Sequence, residues 1–68
     1  MTKESNLEQA ARRVAEAKRI VARQRALIAR LSESGLDTST AESLLDQFER
    51  SLAIFEADVR ALQEKNSN

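Results

Sequence analysis

The 68-residue chain contains no cysteine, no histidine, no proline, no tryptophan and no tyrosine. Each absence removes something. Without cysteine there is no disulfide, no thiolate ligand and no thiol nucleophile, and without histidine no imidazole ligand and no general base poised near neutral pH. Carboxylates, hydroxyls, lysines and arginines remain, and the expectation is a protein that is not an enzyme and holds no cofactor or metal. The lack of proline leaves helices uninterrupted, and a single glycine, Gly35, punctuates the chain. Long apolar runs are missing as well: no stretch approaches the roughly 18 to 20 apolar residues of a membrane span, and the opening MTKESNLEQ has no apolar core of an export signal. A soluble, cytoplasmic protein with no membrane partner is expected.

Net charge is also absent, since 11 basic side chains balance 11 acidic ones, but the balance is not local. Residues 1–35 carry eight basic and four acidic side chains, a net of +4, and residues 36–68 carry three basic and seven acidic, a net of −4. A basic half folded back on an acidic half gains charge complementarity along its length. A chain this short forms one domain at most and sits where a lone hydrophobic core is marginal.

What is present is a seven-residue apolar repeat. Leu7, Val14, Val21 and Ile28 occupy one core position, and Ala10, Ala17, Gln24 and Leu31 the other. The repeat stops at Gly35, where a residue without Cβ can take the left-handed conformation that ends helices. It resumes with Leu45, Leu52 and Val59 at one position and Ala41, Phe48, Phe55 and Leu62 at the other. Ser5 with Glu8 reads as the start of the first helix. For the second, Asp37 is the preferred cap, with Leu36 stapling to Ala41, and Ser39 with Glu42 is the alternative.

The expected architecture is all-α: an antiparallel, coiled-coil-like helical hairpin that dimerises into a four-helix bundle. Its parts are an N-terminal tail at 1–5, helix 1 at 6–34, a hinge at 35–37 formed by Gly35, Leu36 and Asp37, helix 2 at 38–64, and a C-terminal tail at 65–68. Antiparallel folding about Leu36 sets Ala17 opposite Phe55 and Ala10 opposite Leu62, small against large. One flank of the seam then pairs Arg25 with Glu49 and Lys18 with Glu56. The other pairs Leu27 with Leu44, Ile20 with Ser51, and Arg13 with Asp58. A lone hairpin cannot cover this second flank, so Ile20, Leu27 and Leu44, extended by Ile54 on the same side, are the candidate dimer interface.

Two further features attract a functional reading. Gln24 is polar at a core position; it reads as a register-setting group rather than a ligand, and Leu in its place is expected to raise stability. Arg12, Arg19, Arg23 and Arg30 fall within about 20° of one line at 100° per residue, forming a possible anion-binding stripe. Nearby Glu8, Glu16 and Glu33 favour a solvated face instead. The carboxylates Asp46, Glu49, Glu56 and Asp58 lie at the edges of the seam and read as surface charge, and Phe48 and Phe55 as core.

The run RQRALIARLSESGLDTSTAESLLDQFERSLAIF, residues 23–55, resembles a group of short, uncharacterised bacterial helical-hairpin proteins with a pattern like RQRxLIxxLxxxGxDTxxAExLLxxFExxL. That resemblance implies a helical hairpin and no particular activity. In length, hinge position and charge distribution the chain also resembles the Rop-type dimeric hairpins, which implies RNA binding through the arginine stripe. The leading expectation is a small homo-oligomeric interaction or regulatory module, partnered by a second copy of itself and by a further protein that the sequence does not name; nucleic-acid binding is the alternative.

Overall fold

Two helices of equal length account for almost the whole chain. The computed structural model describes residues 5–66, with the side chain of Asn66 excepted; it places α1 at Asn6–Glu33 and α2 at Ser39–Asn66, folded back on each other as a hairpin. The expected N-terminal tail lies, apart from Ser5, outside the described residues, as do residues 67 and 68. Helix α2 runs two residues beyond the expected end at 64, through Lys65, whose positive charge suits the negative end of the helix dipole.

Local sequence explains each helix end. Ser5 sits in an extended conformation (φ −70°, ψ 162°), and its Oγ accepts from the Glu8 backbone N–H at 3.1 Å. Its carbonyl accepts from Gln9 N–H at 3.0 Å, the first bond of α1. At the far end Gly35 has φ +72°. The Leu36 N–H reaches back to the Leu31 carbonyl at 2.9 Å and the Gly35 N–H to that of Ser32 at 3.0 Å, the paired bonds of a Schellman stop.

The start of α2 differs by one residue from the expected cap. Thr38 supplies the first accepting carbonyl, bonded by Glu42 N–H at 2.8 Å, so the cap position is Thr38 and not Asp37. Asp37 still provides the oxygen: its carboxylate accepts from the Ser39 N–H at 3.0 Å and from the Ser39 hydroxyl at 2.8 Å. Those bonds, the backbone one first, hold the Asp37 carboxyl below the usual aspartate pKa. The alternative box, Ser39 with Glu42, is not formed: the Glu42 N–H bonds the Thr38 carbonyl, and the Ser39 hydroxyl donates to Asp37. Leu36 remains 59% exposed, so the apolar staple expected of it is slight.

Burial follows the seven-residue repeat. All 15 seam positions are buried or half-buried, and the only other described residues so placed are Ile20, Thr38, Glu49 and Glu56. The fully buried ones are small, Ala10, Ala17, Val21 and Ala41, and among the described residues no large side chain is enclosed. Small residues let two backbones approach, while larger neighbours straddle the seam half in water. The hairpin measures 52 × 25 × 13 Å with a radius of gyration of 15.8 Å, against about 11 Å for a compact domain of this length. It is one helix layer thick.

Nothing lies within 4 Å of a Cβ built on Gly35, so alanine there meets only the cost of its left-handed backbone. Gly35→Ala is expected to lower stability by about 1 to 2 kcal/mol, and Gly35→Asn by less. A urea melt of the three proteins checks this, and an unchanged midpoint for alanine would show that the hinge tolerates another conformation.

Candidate interaction surface

The register brings one flank of the hairpin to a polar finish. Arg25 and Glu49 close an ion pair at 2.6 Å across the two helices, and Asp46 and Arg50 pair at 3.0 Å one turn apart on α2. Both pairs are largely exposed and contribute about 0 to 1 kcal/mol each. Lys18 and Glu56, expected to pair on the same flank, form no ion pair within 4 Å.

The opposite flank is grooved. A central groove of about 370 Å³ is walled by Arg13, Glu16, Ala17 and Ile20 of α1 and by Phe48, Ser51 and Phe55 of α2. Its cause is residue size: Ala17 and Ser51 leave the space that Phe48 and Phe55 border. Toward the hinge a second groove of about 350 Å³ shares Ile20 and Phe48 and adds Arg23, Gln24, Leu27 and Arg30. Toward the free ends a third, about 360 Å³, shares Arg13 and adds Asn6, Gln9, Ala10, Asp58, Ala61 and Leu62. The expected pairs Ala17 with Phe55, Ile20 with Ser51, Ala10 with Leu62 and Arg13 with Asp58 each line a common groove. The three grooves form one trough along one side.

The four candidate interface residues separate here. Ile20 is half-buried and walls two grooves, and Leu27, 37% exposed, walls the second. Leu44 and Ile54 line none of the three, and stand 41% and 61% exposed. Sequence reading missed Phe48 and Phe55 as parts of this surface because their spacing marks them as core. The signal that could have placed them was the small size of Ala17 and Ser51 beside them.

The arginine stripe also divides. Arg23 and Arg30 border the groove that contains Ile20 and Leu27, whereas Arg12 and Arg19 border none of the three. Arg30 lies in the last turn of α1, where a cation complements the helix dipole. Gln24 is half-buried at the seam, and its Nε2 donates to the Ala41 carbonyl at 2.9 Å. That carbonyl lies within α2 and has a second lone pair free of the helix ladder, so the bond ties α1 to one height on α2.

Among the described residues no three carboxylates come together as a metal site, and no helix is long and apolar enough to cross a membrane. No protein-family model matches the chain, and neither the curated proteins nor the solved structures provide a match.

The Gln24 bond alters what substitution there should do. A hydrogen bond contributes a net of about 0.5 to 1.5 kcal/mol, comparable with the gain from half-burying a leucine. Gln24→Leu is therefore expected to leave stability within about 1 kcal/mol, instead of raising it. Gln24→Ala, which loses the bond and the packing, is expected to cost about 1 to 2 kcal/mol. Thermal melts of the two variants check this, and a large loss for leucine would mean that the bond outweighs the packing.

Replacing Arg12 and Arg19 by Gln is expected to leave helicity and mass unchanged, since exposed pairs with glutamate contribute only a few tenths of a kcal/mol. Dissociation or unfolding of that double variant would identify the outer face of α1 as structural.

Proposed function

We propose that this protein is a non-catalytic interaction module that works as a homodimer, two hairpins closing a four-helix bundle through the grooved flank. The observation that carries the reading is the one-sidedness of the apolar surface. Ile20, Leu27, Phe48 and Phe55 border one trough, and the other flank ends in charges. An apolar patch of this continuity commonly marks an association surface.

Area supports the same reading. A compact monomer of 7.6 kDa exposes about 4,300 Å², and this chain exposes 5490 Å². The excess, about 1,200 Å², is more than the roughly 800 Å² per partner that a standard stable interface buries.

The competing reading is RNA or DNA binding through Arg12, Arg19, Arg23 and Arg30. What favours it is the alignment of four arginines on one helix. Against it stand a net charge of zero and an α1 without any aromatic side chain for base stacking. Nucleic-acid binding predicts an affinity that falls steeply with salt; a polarisation assay at low ionic strength with no salt-sensitive binding would remove it.

The dimer predicts that folding and assembly are coupled, so the melting temperature rises with protein concentration. Leu27→Glu, which sets a charge in the trough, is expected to abolish both dimer and most helicity, while Lys18→Glu on the opposite flank lowers stability only modestly. Light scattering with circular dichroism decides it: a folded monomer that persists on dilution would overturn the dimer.

A further inference from the structure

The trough is not uniform along its length. Near the hinge its α1 wall carries Leu27, while Leu44 of α2, 41% exposed, lines none of the grooves. At its middle Ile20 lies beside Ser51. Toward the free ends it carries charge: Arg13 and Asp58 line the same groove, and neither has an ion-pair partner within 4 Å. The helices also differ, since α1 holds seven basic and three acidic side chains and α2 three basic and six acidic.

For near-parallel helices, a twofold axis that sets this flank against its own copy has two available directions. An axis along the hairpin places the two hinges at the same end and packs α1 beside the partner's α2. An axis across it places the hinges at opposite ends and packs α1 beside the partner's α1. The second choice sets the apolar Leu27 end of the trough against the partner's charged end and brings two basic helices together. The first matches each Leu27 end with its own copy, basic helix with acidic helix, and lets each Arg13, which forms no ion pair within its own chain, meet a partner carboxylate at its own height.

Resting on the dimer reading above, we propose that the occupant of the trough is a second copy of this chain bound hinge to hinge, with α1 against the partner's α2 and Arg13 of each hairpin paired to Asp58 of the other. The isoleucine and phenylalanine walls of the central groove are then filled by the matching layer of the second copy, since layers meet at equal height.

This orientation has a consequence for function. By helical spacing the arginine stripe lies across α1 from the seam, with Arg23 and Arg30 at the α1 rim of the trough and Arg12 and Arg19 outside it. With hinges together the two α1 helices are diagonal in the bundle, and their stripes point to opposite sides of the dimer. With hinges apart they are adjacent, and the stripes merge into one basic face of eight arginines. The hinge-to-hinge dimer therefore offers no continuous basic surface spanning both chains, and the favoured packing itself disfavours a polyanionic ligand.

Spin labels on single cysteines test the orientation, because the chain has no cysteine of its own. Ser34→Cys marks the hinge and Lys65→Cys the free end, both at exposed positions. Helix α1 spans 28 residues, about 42 Å at 1.5 Å per residue, whereas neighbouring helices in a bundle are about 8 to 10 Å apart. The expected result is a short distance between two hinge labels, a short distance between two end labels, and about 40 Å between a hinge label on one chain and an end label on the other. The reverse pattern would overturn the orientation and leave the dimer standing. A monomeric mass for the unlabelled protein would overturn both. Since the two labels report the same geometry from opposite ends, loss of folding in one labelled variant leaves the other to decide.

Discussion

Two helices share one seam, and that single fact governs the rest of the structure. Packing against one neighbour covers only a stripe of each helix, so a side chain is enclosed only if it is short enough to remain within the stripe. Ala10, Ala17, Val21 and Ala41 meet that condition, and no phenylalanine or leucine does. The larger side chains draw the helices together with their inner halves and leave their outer halves in water. Only a further body could bury the rest of them. In a chain of this size the difference between half and full burial of a few leucines and phenylalanines is of the order of the whole folding free energy.

Polar groups in this hairpin set position more than they add stability. The Gln24 bond to the Ala41 carbonyl and the Arg25–Glu49 pair link the helices at different heights, and the Schellman stop at Gly35 fixes where the first helix ends. Asp37 then starts the second helix within a few residues, by accepting from Ser39 before the helix ladder begins. A short, specified connection leaves little freedom to slip by a turn. This matters because the alanine-for-large-residue matching works at one register only: shifted by a turn, Phe55 would face a residue other than Ala17, and the grooves would change shape.

The repeat of Leu7, Val14, Val21 and Ile28, and its counterpart in α2, was legible because seven-residue spacing maps directly onto one helix face; each of those positions is buried or half-buried. Gly35 was legible because few residues reach positive φ without strain. The start of α2 was displaced by one residue because Asp37, Thr38 and Ser39 all carry a side-chain oxygen that can cap, and only the three-dimensional path of the turn chooses among them. The Lys18–Glu56 pair failed where Arg25–Glu49 formed, since opposite charges at matching edge positions need not close when both are hydrated and the gain is small. The trough itself was half legible. Its α1 wall of Ile20 and Leu27 stands out as apolar residues off the repeat, but its α2 wall combines Ser51 and Asp58, which the register sets on this flank, with Phe48, Phe55 and Leu62, which the repeat assigns to the core.

The asymmetry between the two flanks bears on how far assembly can go. If both were apolar, each hairpin would present two association faces, and hairpins could add side by side without limit, as unclosed contacts do. Arg25 and Glu49, with Lys18 and Glu56 nearby, make one flank a surface that water satisfies, so burial there would strip hydration from charges for little return. The grooved flank, used against its own copy, is consumed in a single closed contact. Ile54, 61% exposed, borders none of the three grooves, and the same holds for Leu36 and Leu44, 59% and 41% exposed. A single exposed aliphatic is ordinary on a soluble surface and too small to recruit a further hairpin.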